Sequence, residues 1–105
     1  MISIRRIRAA AARIAREFHP ERVVLFGSHA RGRATEDSDV DLLVVLAFRG
    51  TAFRKSVEIL RRADVRFPVD LLARRPGDVR RRYKEGDPLI REALDEGKVL
   101  YERNG

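Results

Sequence analysis

Two short apolar runs frame a polar stretch that opens with Gly27-Ser28 and closes with Asp39-Val40-Asp41, and this order restricts the fold more than any other part of the chain. Val23 to Phe26 reads as a buried strand, an apolar run closed by glycine. Gly27 can take the backbone angles of a sharp turn out of that strand. Ser28 follows with a hydroxyl and a backbone N–H, and Ser28 to Arg31 is expected to begin a short helix. A helix start leaves N–H groups free and so favours anions. Gly27 and Ser28 therefore read as a phosphate cradle, and Arg31, on the same turn, is placed to meet a polyphosphate. His29 beside them is read first as an exposed loop residue, and second as a contact to nucleotide.

The second apolar run is costly to build. Asp is depleted in strands, yet Asp39 and Asp41 stand at the mouth of VDLLVVL. Residues two apart on a strand share a face, with Cα atoms about 6.5–7 Å apart. Like charges so placed repel, and each favours its neighbour's protonation. A cation between them removes the conflict. Magnesium suits the position, being a hard ion that takes one or two carboxylates and completes its shell with water and phosphate oxygens. Glu36 and Asp37 lie earlier, in the polar loop TEDSD, and read as loop charges.

Asp70 supplies a third carboxylate, within the short apolar stretch FPVDLL. Alternation sends Phe67, Val69 and Leu71 one way, and Asp70 with Leu72 the other. If this strand lies beside the Asp39/Asp41 strand, three carboxylates converge at one edge of the sheet. Such a set can hold two ions about 3.5–4 Å apart, the arrangement used for in-line phosphoryl and nucleotidyl displacement.

Gly-Ser, ten residues, then Asp-x-Asp resembles the signature of the nucleotidyltransferase superfamily that includes DNA polymerase β. The fuller string GSHARGRATEDSDVDLLV is similar to its small prokaryotic branch, the minimal nucleotidyltransferase (MNT) proteins. VDLL around Asp70 and the ending IREALDEGKVLYE extend the likeness over nearly the whole chain. The resemblance implies that Gly27 and Ser28 bind the β- and γ-phosphates of ATP, and that Asp39, Asp41 and Asp70 are catalytic and hold Mg²⁺. It also makes Asp70 the group that activates the attacking hydroxyl. Members of this branch are often antitoxins of type VII-like pairs, encoded beside a HEPN-domain ribonuclease toxin. Some transfer AMP from ATP to a tyrosine of that toxin. The alternative within the same resemblance is an antitoxin that neutralises its partner by binding alone.

The remaining sequence fits a minimal domain. A chain of 105 residues is long enough for one core, so residues 1–105 are expected to form a single minimal nucleotidyltransferase domain. Cysteine is absent, which excludes disulfides and thiolate zinc sites. No leader or continuous apolar span is evident, and a cytoplasmic location is expected. Ile4, Ile7, Ala11, Ile14 and Phe18 fall at helical spacing, with Ser3 as cap and His19-Pro20 as stop. A helix from Gly50-Thr51 is expected to line one face with Phe53, Val57 and Leu60. Pro76-Gly77-Asp78 reads as a turn before a basic segment, Asp87-Pro88 as a helix start, Gly97 as its stop, and Lys98 to Glu102 as a last strand. The fold class is α/β (α+β): a small mixed sheet with helices packed mainly on one side, the polymerase β-like arrangement.

The formal charge of +7 raises the question of partners. Lysine is confined to Lys55, Lys84 and Lys98, so the basic excess is almost all arginine and reads first as compositional bias. An acidic protein partner comes second and nucleic acid last, because only Tyr83 and Tyr101 are suited to stacking on bases.

Overall fold

The computed structural model describes residues 1–104. Its elements run α1 (Ile4–Phe18), β1 (Arg22–Phe26), β2 (Val40–Val45), α2 (Ala52–Arg62), β3 (Val69–Arg74), α3 (Pro76–Lys84), α4 (Pro88–Glu96) and β4 (Lys98–Glu102). The strands form one sheet in the order β3-β2-β1-β4. β1 pairs antiparallel with β2 and with β4, whereas β2 and β3 are parallel. Parallel neighbours need a crossover, and α2 supplies it.

Local signals set the helix ends. The Ser3 hydroxyl accepts from the Arg6 N–H at 3.3 Å and starts α1, while His19 stops it in the left-handed region with its N–H on the Ala15 carbonyl. The Thr51 hydroxyl caps α2 by accepting from the Arg54 N–H, and Asp87 caps α4 through the Leu89 and Ile90 N–H groups.

Strand alternation sorts the apolar residues into two cores. Val23, Leu25, Val40, Leu42, Val44, Leu71 and Ala73 meet Ile7, Ala11 and Ile14 of α1 and Ile59 of α2. On the other face, Val24, Phe26, Leu43 and Val45 meet Val79 of α3 with Ile90 and Ala93 of α4. The larger core lies with α1 and α2, but the helices are not mainly on one side as expected, since α3 and α4 pack on the other face. The second face is covered because the basic segment after Pro76 is itself a helix, α3, with Val79 turned inward.

Two local expectations change. Ser28 to Gly32 forms a run of turns rather than a helix: the Ala30 and Arg31 N–H groups both return to the Gly27 carbonyl, and Gly32 then takes a φ of +70°. In α2 the inward residues are Ile59, the following Ala63 and, partly buried as expected, Leu60, whereas Phe53 is 77% and Val57 44% exposed. The Ser56 hydroxyl accounts for this orientation. It donates to the Ala52 carbonyl at 2.8 Å and accepts from the Ala73 N–H at 3.1 Å, so α2 presents Ser56 to the edge strand β3.

Candidate active site

The functional residues meet where β2 and β3 begin and β1 ends. Register partners are Asp41 and Asp70 across the parallel pair, and Phe26 and Asp41 across the antiparallel pair. Neighbouring strands lie about 4.7–4.9 Å apart, so the two carboxylates leave adjacent backbone positions on one face of the sheet. Val40 and Leu42, on either side of Asp41, are fully buried against the α1/α2 layer. Asp41 therefore points to the other face, toward α4.

Gly27 fits against this carboxylate. Its φ is +76°, and a Cβ added there would overlap Asp41 Oδ2. Both facts require glycine: the left-handed backbone turns the chain out of β1, and the missing side chain leaves space for Asp41. Beyond it, among the described residues, the backbone N–H groups of Ser28 and His29 have no backbone acceptor. The turn thus presents free donors beside a carboxylate cluster.

Charge around Asp41 is strongly one-signed. Burial raises its carboxyl above the ordinary value, and Asp70, Asp39 and Glu92 each raise it further; only His29 acts in the opposite sense. Glu92 is the residue the sequence did not reveal. It sits on α4, whose packing against β1 brings it over the site, and it forms an ion pair with Arg31. Arg31, expected to be free for polyphosphate, is held by that carboxylate.

The three expected carboxylates are not equivalent. Asp41 is half-buried and Asp70 exposed, while Asp39 precedes the first residue of β2 and is exposed, outside the ladder that fixes Asp41. Among the described residues, no three His, Cys, Asp or Glu side chains close on one point at metal-holding distance. Mutual repulsion opposes that closure in the absence of a counter-charge. The donor set still fits a divalent cation. It is all oxygen and hard, it surrounds a carboxyl whose ionisation its neighbours disfavour, and glycine leaves the space beside it free.

The groove that borders Asp70 on the outer side runs along α2 and β3. It has a volume of about 370 Å³ and is lined by Phe53, Ser56, Val57, Leu72 and Arg74. A more apolar cavity, lined by Arg22, Val45, Tyr83 and Leu94, lies toward the opposite end of the strands and contains none of these carboxylates.

The nucleotidyltransferase domain family matches residues 4–100. The chain belongs to that family. As a nucleotidyltransferase it is similar to a Methanocaldococcus jannaschii protein named "putative protein adenylyltransferase", 31% identical over 81 residues that cover 77% of this chain and 78% of that protein. Its fold is shared with a solved nucleotidyltransferase from Sulfolobus solfataricus, at a TM-score of 0.65 and 21% identity, covering 95% of this chain and 80% of that one. A solved toxin–antitoxin structure with AMP-PNP has the same fold, at a TM-score of 0.60 and 20% identity, covering 92% and 74%. No helix among the described residues is long and apolar enough to cross a membrane.

Proposed function

We propose that residues 1–105 act as one minimal nucleotidyltransferase domain that moves AMP from ATP to a hydroxyl on a protein partner. The observation that carries this reading is the register pairing of Asp41 with Asp70 beside the Gly27-Ser28 turn. Free N–H donors on the turn hold the phosphates that leave, and the carboxylates face the phosphorus that reacts. A bound Mg²⁺ would be held by Asp41 and Asp70 with Asp39, and would supply charge neutralisation at the phosphate oxygens.

The acceptor oxygen forms a bond to the α-phosphorus, and the bond from that phosphorus to the bridging oxygen breaks. Pyrophosphate leaves with the electron pair, and the acceptor proton passes to the Asp70 carboxylate. Asp70 suits that role because it is exposed and borders the groove along α2. Positioning and charge account for the rate, with no covalent enzyme intermediate.

The acceptor we favour is a tyrosine of a HEPN-domain ribonuclease toxin, with this chain as the antitoxin in the cytoplasm. The names of the relatives support the coarser part of that choice, adenylyl transfer to a protein and a toxin–antitoxin pair. So does the groove, where Phe53 and Val57 lie exposed beside Asp70. A binding antitoxin without transfer is the second reading. It is favoured by one observation, the pairing of Arg31 with Glu92 rather than its freedom for phosphate.

Incubation with α-labelled ATP, Mg²⁺ and the protein encoded beside this one tests the proposal. Label on the partner that disappears with Asp41→Asn supports transfer. A tight complex that never acquires label supports binding alone.

A further inference from the structure

His29 is not the exposed loop residue its sequence context suggests. Both ring nitrogens, Nδ1 and Nε2, are buried from water and have no hydrogen-bond partner. Among the described residues they are the only buried side-chain nitrogen or oxygen atoms in that condition. Leaving one such group unsatisfied costs about 1–3 kcal/mol. Buried polar atoms in folded proteins are nearly always paired, and an orphan at a site points to a group that arrives later.

The position of the ring narrows what that group is. His29 is two residues past Gly27, in the turn whose own backbone donors at Ser28 and His29 have no backbone acceptor. The same turn packs against Asp41 at Gly27, yet no hydrogen bond joins the His29 ring to that carboxylate. Arg31, the other basic side chain of the turn, is engaged by Glu92. A missing partner here must bring acceptor oxygens to the turn and tolerate the carboxylates beyond it. A nucleoside triphosphate carrying a divalent cation meets both conditions.

We propose that His29 is a substrate-binding residue whose ring N–H donates to a non-transferred phosphate oxygen of the nucleoside triphosphate seated on the Gly27-Ser28 turn. The inference rests on the nucleotide site proposed above and adds to it the side chain that fixes the triphosphate against Asp41. Backbone donors alone bind phosphate without fixing its rotation. A side-chain donor from the neighbouring residue adds the second direction that orients the chain of phosphates.

The test pairs two measurements that a packing role would move together and a binding role moves apart. The melting temperature is measured without nucleotide, and the Kd for Mg²⁺-ATP by calorimetry, for wild type, His29→Phe and His29→Gln. His29→Phe removes the unpartnered nitrogens but keeps an aromatic ring, so the melting temperature is expected to rise while Kd weakens about tenfold, the size of one hydrogen bond to a charged oxygen. Glutamine, which keeps a donor, is expected to fall between. A Kd for His29→Phe within twofold of wild type overturns the inference, whichever way the melting temperature moves. Should the phenylalanine variant fail to fold, His29→Ala decides: a Kd within twofold of wild type overturns, a tenfold loss supports. Wild-type protein that binds no Mg²⁺-ATP overturns the nucleotide site itself. Wild-type binding with unaltered His29 variants overturns this inference alone.

Discussion

Gly27 and Asp41 are packed so closely that a single methyl group on the first would occupy the space of the second's Oδ2. The contact links the turn that would hold phosphate to the carboxylate that would hold the cation, and it separates two reasons for glycine. Gly27 and Gly32 both have positive φ, +76° and +70°, but a Cβ on Gly32 meets nothing within 4 Å. Gly32→Ala should therefore lose only the left-handed backbone freedom, about 1 kcal/mol, and keep its activity. Gly27→Ala should lose more stability and also displace Asp41, with activity falling at least about 100-fold. Melting curves and initial rates on the two variants check this, and equal activities would show that the overlap is relieved harmlessly.

Asp41 makes the fold sensitive to pH in a direction opposite to most paired carboxylates. Burial and the charges of Asp70, Asp39 and Glu92 raise its folded-state value above 3.8. The folded state thus holds the Asp41 proton more tightly than the unfolded state, and stability falls as pH rises through that interval. The penalty is fully present at neutral pH and disappears below the unfolded value. Asp41→Asn in EDTA should melt higher than wild type at pH 7, by about 1–8 °C for a like-charge pair worth on the order of 0.2–1 kcal/mol. The difference should vanish as pH approaches 4. A lower melting temperature for the asparagine variant at pH 7 would contradict a repelling cluster.

Glu92 engages Arg31 in an ion pair, and its negative charge raises the Asp41 carboxyl. Glu92→Gln should release the guanidinium and lower the KM for Mg²⁺-ATP a few-fold, with kcat little changed. Adding Arg31→Ala to Glu92→Gln should cancel that gain, because the released charge-assisted donor is then lost. A collapse of kcat in Glu92→Gln would instead give Glu92 a part in the chemical step.

Ser56 joins α2 to the outer strand. Its hydroxyl accepts from the Ala73 N–H, a ladder position on the edge of the sheet that has no strand to pair with. Ser56→Ala leaves that N–H without a partner and should cost about 1–2 kcal/mol. The matching fall in melting temperature is about 4–16 °C at this chain length. A change under 1 °C would mean that water replaces the hydroxyl at no cost.

The parts of this structure that depend on neighbours in sequence were legible, and those that depend on neighbours in space were not. Alternation in VDLLVV and FPVDLL shows which residues share a face, and the two cores sort Leu71 from Leu72 as that alternation requires. Caps at Ser3, Thr51 and Asp87 are local hydrogen bonds, and the helices begin there. The inward face of α2 differs in part from the expected one because an apolar stripe at helical spacing does not show which neighbour the helix will meet; Ser56 bonds to β3 and Ile59 packs into the core. Glu92 carries no local signal at all, since only the packing of α4 on β1 sets it above Asp41. His29 looks like an exposed loop residue in sequence, and only the folded turn shows its ring nitrogens buried without a partner.

The most direct test of the whole account is the intact mass of the neighbouring gene's product after incubation with this chain, ATP and Mg²⁺. The expected result is a gain of one or more adenylyl groups with wild-type protein and none with Asp41→Asn, while both remain folded. An unchanged mass with wild-type protein that binds both ATP and the partner, or an equal gain with Asp41→Asn, would contradict transfer at the Asp41–Asp70 pair.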